Sequence, residues 1–177
     1  MGYFNPIYSY GAERFCTDAA AAGVDGLIVV DLPPEESDML LPQATAHGLD
    51  MIRLAAPTTD DARLPKVLGD SSGFVYYVSI TGITGTRSAV YDDLAAAVPR
   101  VRRATGLPIA IGFGVRSPAQ AAEAVRVADG AVVASALIDT LAASLDAEGR
   151  AAPDTVRRVL DQVRALAEGV RNARVPA

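Results

Sequence analysis

Apolar residues recur along this chain in two rhythms. Short runs without polar alternation occupy residues 26–31, 51–55, 74–79, 108–111 and 130–133, and Met1 to Phe4 forms a shorter one stopped by Asn5-Pro6. Runs of this kind predict strands buried on both faces, hence a parallel sheet. Helical spacing fills the intervals. Residues 9–22 predict a helix closed at Gly23, and Pro33-Pro34-Glu35-Glu36 predicts a helix start, running to about His47 before Gly48. Thr58-Thr59-Asp60-Asp61 resembles a capping box, with Asp61 in the reciprocal position, opening a helix to about Leu68. A further helix spans about 91–105, ahead of Gly106. Ser117-Pro118-Ala119-Gln120 sets a capping Ser, a first-turn Pro and a reciprocal Gln in order, for a helix to about Val127. The clearest amphipathic stripe is the last: Val156, Val159, Leu160, Val163, Leu166, Ala167 and Val170, with Pro153 able to open it.

Six strands each followed by a helix, at a spacing of roughly 25 to 35 residues, are a series of βα units. The chain is expected to be one α/β domain over residues 1–177. Two closures are open to such a series, a doubly wound sheet and a (β/α)8 barrel. No Gly-x-Gly-x-x-Gly follows the first strand, as a dinucleotide fold would require. Glycine- and hydroxyl-bearing loops instead follow the last three strands: Thr81-Gly82-Ile83-Thr84-Gly85-Thr86, Gly112-Phe113-Gly114 and Ala134-Ser135. Successive loops of that chemistry form an anion pocket at the C-terminal face of a barrel, which points to a phosphorylated substrate. A complete barrel takes about 250 residues, so a chain of 177 predicts a partial one.

Composition narrows the chemistry. A net charge of −5 argues against nucleic acid, and no run approaches the length of a membrane span. Residues 1–6 have no basic start and no long apolar stretch, so a secretory signal is not expected and the location reads as cytoplasmic. Cys16 is the single cysteine and sits in a helical apolar pattern, which makes it a small core residue. His47, at a helix end, suits the negative end of the dipole. No cluster has metal-ligand spacing, so neither metal nor other cofactor is expected.

Several segments carry a resemblance. Met1 to Pro6, Gly23-Val24-Asp25-Gly26-Leu27-Ile28-Val29, Asp31-Leu32-Pro33-Pro34-Glu35-Glu36, Tyr76-Tyr77-Val78-Ser79 before Thr81-Gly82-Ile83-Thr84-Gly85, and Gly112-Phe113-Gly114-Val115 resemble, in order, the tryptophan synthase alpha subunit. The resemblance implies a (β/α)8 TIM barrel of which this chain holds strands three to eight with their helices. It implies aldol cleavage of indole-3-glycerol phosphate to indole and glyceraldehyde 3-phosphate, and a beta subunit as partner in an alpha2beta2 tetramer. It also implies that the acid/base Glu and Asp lie N-terminal to Met1, so that these 177 residues alone are inactive and carry no catalytic residue.

For binding, the resemblance assigns phosphate or substrate contacts to Tyr76, Thr84, Gly85, Gly114 and Ser135, and a pocket-edge or subunit-interface place to Tyr3, Asn5 and Asp31. Ala134 stands where the family usually has Gly, so its methyl crowds the phosphate side. Arg87 follows the glycine loop and reads as a solvated cation. Two other readings remain at this point: a catalytically dead fragment that keeps a phosphate-binding or beta-contacting surface, and another phosphate-binding barrel enzyme.

Overall fold

The computed structural model describes residues 1–79, 87–112 and 114–173, and for residues 87–93 the backbone alone. The chain divides into two compact units, Met1–Val78 with Pro99–Ile109, and Ser79–Val98 with Ala110–Ala177. One division runs through a helix at its internal proline, Pro99.

The first unit starts with a difference from the sequence reading. Residues past Tyr3 do not extend a strand: helix α1 covers Phe4–Tyr10 and α2 covers Ala12–Ala21. Pro6 does not oppose this, because a proline in the first turn removes an amide that has no intrahelical acceptor anyway. The Phe4 amide finds its acceptor far along the chain, in Asp31 Oδ1 at 2.7 Å. Only Gly2 keeps strand character, bridging Val29 in parallel through Gly2 N–H to Ile28 O (2.9 Å) and Val30 N–H to Gly2 O (3.0 Å).

Strand β1 (Gly26–Leu27) pairs in parallel with β2 (Asp50–Met51), and β3 (Arg53–Ala55) pairs in parallel with β4 (Val75–Val78). Between β1 and β2 the predicted single helix is two pieces. A 3₁₀ turn covers Pro34–Met39 and α3 covers Leu41–Ala46, separated at Leu40, whose φ of −136° is not helical. Gly23 and Gly48 follow α2 and α3 with φ of 85° and 70°. Helix α4 is short, Leu64–Leu68. The expected capping box before it does not form. Thr59 Oγ1 accepts from Ala56 N–H, Asp60 Oδ1 accepts from Arg63 N–H at 2.7 Å, and Asp61 pairs with Arg100 at 3.1 Å. Ile7, Cys16, Leu27, Leu40 and Met51 form the core under α1 to α3.

The second unit holds β5 (Ile109–Gly112, from Ala110 onward) and β6 (Gly130–Ala131), parallel with Ala110 opposite Gly130. Helix α5 spans Arg87–Ala104, its last residues belonging to the first unit. Helix α6 (Pro118–Val127) opens with the predicted capping box: Ser117 Oγ accepts from Gln120 N–H, and Gln120 Oε1 accepts from Ser117 N–H. Helix α7 covers Ser135–Ala142 and α8 covers Thr155–Ala173. Helices α6 and α8 cross closely: a Cβ on Gly169 would lie 2.6 Å from the Pro118 carbonyl oxygen, so only glycine fits there. On α8 the expected apolar stripe is real but only partly covered. Leu166 is buried, whereas Val156 and Leu160 are 69% and 54% exposed.

Candidate functional site

The polar and aromatic positions singled out in sequence fall in both units. In the first, Asn5 and Asp31 line one cavity of about 280 Å³ together with Phe4, Tyr8 and Met39. Tyr3 directly precedes α1 and is 65% exposed. Asp31 stands just past the apolar run of β1, at the C-terminal end where parallel strands present functional side chains. Its carboxylate caps the first amide of α1, a placement the positive end of the helix favours. Tyr76 lies in β4 opposite Leu54 and is buried, and burial pushes its phenol upward from the usual value.

The segment that follows Asp31 is held by three basic side chains. Arg63 grips Glu35 through both guanidinium nitrogens, the longer contact being 2.9 Å, and Lys66 reaches the same carboxylate at 2.9 Å. Hydrogen bonds from Arg63, then Lys66, hold the Glu35 carboxyl well below the usual range, at about 2. From the interior, Arg53 donates to Leu32 O at 3.0 Å and to Ser37 Oγ. None of these cations was singled out in sequence. A signal for Arg53 existed: it is the one charge inside the apolar run 51–55.

In the second unit, Gly114 follows β5 with φ of 80°, a left-handed backbone that a side chain would strain. Ser135 is the first residue of α7. Ala134 occupies the cap position and makes no side-chain cap hydrogen bond to the first turn. An uncapped helix start is suited to an anion. Arg116, two residues past Gly114, pairs with Asp139 on the second turn of α7 and so ties the loop after β5 to the helix that begins at Ser135. Thr84 and Gly85 lie outside the described residues, as does the side chain of Arg87.

His47 caps α3, with Nδ1 against Gln43 O at 2.8 Å and Nε2 against Thr17 Oγ1 at 2.9 Å, a structural place at a helix end. Cys16 is fully buried and free. Among the described residues no group of three His, Cys, Asp or Glu could hold a metal ion, and no helix is long and apolar enough to cross a membrane.

Known proteins give this geometry a frame. The family model described as tryptophan synthase alpha chain matches residues 1–171. A tryptophan synthase alpha chain of Granulibacter bethesdensis is 71% identical over 177 residues, which are 100% of this chain and 63% of that relative. One from Gluconacetobacter diazotrophicus is 71% identical over 98% of this chain and 64% of its own length. The chain therefore spans a little under two thirds of these relatives. Among solved structures, tryptophan synthase subunit alpha of Legionella pneumophila superposes with a TM-score of 0.83 at 32% identity, over 97% of this chain and 62% of that one. Tryptophan synthase of Mycobacterium tuberculosis superposes with a TM-score of 0.80 at 40% identity, over 96% and 60%. The parallel strands and alternating helices are thus part of a (β/α)8 barrel. Other phosphate-binding barrel enzymes are set aside by the same matches, and the chain belongs to the tryptophan synthase alpha chain family.

Proposed function

We propose that this chain serves in the aldol cleavage of indole-3-glycerol phosphate to indole and glyceraldehyde 3-phosphate, and that its share of the work is to hold the substrate. The family match over residues 1–171 carries this reading. The resemblance gives the phosphate the amides of Gly85, Gly114 and Ser135 and the Ser135 hydroxyl, and gives Thr84 a substrate contact. The uncapped start of α7 and the left-handed backbone at Gly114 support the assignment. The resemblance gives Tyr76 a substrate contact, and gives Tyr3, Asn5 and Asp31 a place at a pocket edge or at the surface offered to the beta subunit of an alpha2beta2 tetramer in the cytoplasm. The Ala134 methyl narrows the phosphate side without removing its amide.

Cleavage breaks the bond between the indole ring and the glycerol carbon. A proton goes onto the ring and another leaves the glycerol hydroxyl. Positioned carboxylates supply each transfer, at about 10²–10⁴-fold apiece. The resemblance puts the Glu and Asp of these roles outside the 177 residues, and the part proposed for this stretch is to bind without turning over. A non-catalytic binding role for the chain, as a surface that keeps the phosphate or the beta subunit, is the second reading.

Indole release from indole-3-glycerol phosphate separates the two. Turnover by a polypeptide with the whole barrel, and none by the 177 residues, is the expected result. A whole-barrel protein that binds but releases no indole leaves only the second reading.

A further inference from the structure

The least expected side chain in the first unit is Arg53. It sits on β3 opposite Val75, 4% exposed, where an apolar residue would fill the same space. Burial of a guanidinium is unfavourable, and here it depresses the side chain's pKa, with the charge of Asp70 offsetting part of that. No carboxylate lies within ion-pair distance of it among the described residues. Its Nε has no hydrogen-bond partner among the described residues. Packing and charge pairing thus give little reason for the residue.

Its contacts do give a reason. One guanidinium nitrogen donates to the carbonyl of Leu32, the residue after Asp31, and the other donates to Ser37 Oγ. Leu32 and Ser37 are themselves buried. A planar fork of fixed geometry bridges the two ends of the intervening turn, which a flexible ammonium cannot do equally well. The peptide next to Asp31 is thereby fixed from inside the strand layer, and the Asp31 carboxylate meets the Phe4 amide at the cavity wall.

We propose that Arg53 is a positioning residue: from within β3 it holds the turn 32–37 so that Asp31 faces α1 and the cavity lined by Phe4, Asn5, Tyr8 and Met39. Its bearing on function rests on the reading of Asp31 as a pocket residue. The outer clamp, Arg63 and Lys66 on Glu35, is exposed and does not set Asp31.

The test is amide hydrogen exchange in the full native polypeptide, comparing Phe4 with Val75. Arg53→Met should accelerate Phe4 by about tenfold, one hydrogen bond's worth of local protection, with Val75 little changed. Arg53→Lys should restore part of it, and Arg63→Ala should leave Phe4 unchanged. Equal acceleration at both amides, or none at Phe4, overturns the proposal. If Arg53→Met does not fold, Ser37→Ala removes one arm alone and should still accelerate Phe4 selectively, and an unchanged Phe4 there overturns it as well. Indole-3-glycerol phosphate cleavage is measured alongside. Selective loosening of Phe4 with undiminished cleavage supports the hold on Asp31 and counts instead against Asp31 as a pocket residue.

Discussion

The turn after Asp31 and the face shared by α7 and α8 are opposite cases. The turn is rich in acids and prolines and would pass for a solvated loop, yet cations hold it from inside and outside. Helix α8 on that face has the clearest apolar stripe of the chain, yet Leu160 on it is 54% exposed, as Ile138 on α7 is 60% exposed. Local pattern tells which face of an element is apolar. It does not tell whether anything covers that face, because the cover is supplied by other parts of the fold.

The largest effect expected lies where α8 is covered. Leu166 is buried and Leu160 is not, on the same helix. Leu166→Ala should cost about 2–5 kcal/mol in urea unfolding, and Leu160→Ala within about 0.5 kcal/mol. Equal losses would mean that the stripe is covered along its whole length.

Next in size is the crossing of α6 and α8. Gly169→Ala puts a methyl group against Pro118 O and should cost about 1–3 kcal/mol by the same measurement. A neutral substitution would show that the helices separate freely.

The smallest effect concerns the exposed clamp on Glu35. Its carboxyl is depressed in the folded state from 4.5 to about 2. A depressed acid stabilises fully above its unfolded value and loses that contribution as pH falls through the folded one. The clamp should therefore be intact above about pH 4.5 and lost towards pH 2, a modest change because the groups are exposed. Carboxyl NMR titration of Glu35 checks this, and an ordinary midpoint near 4.5 would remove the clamp.

These contrasts also mark what was legible in the sequence. Parallel strands and the Ser117–Gln120 capping box follow from local rules, and they stand in the structure. Helix α1 was hidden because its first amide is capped by Asp31, 27 residues away, which no local rule reaches. The Thr58 to Asp61 box failed for a related reason: Asp61 is engaged by Arg100 from a distant helix. Arg53 announced itself only as a charge in an apolar run, with its partners invisible until the chain folds. The residues proposed for chemistry were assigned by resemblance, whereas the contacts of Arg53 needed coordinates.

The central claim is that Gly114 and Ser135 belong to a phosphate site. The most direct measurement is calorimetric binding of glyceraldehyde 3-phosphate to a polypeptide with the whole barrel, with and without Gly114→Val. The substitution forces a side chain into the left-handed backbone at Gly114, where the phosphate site is proposed. Binding weaker by about tenfold or more, equal to about 1.4 kcal/mol, is the expected result. Unchanged affinity would contradict the account.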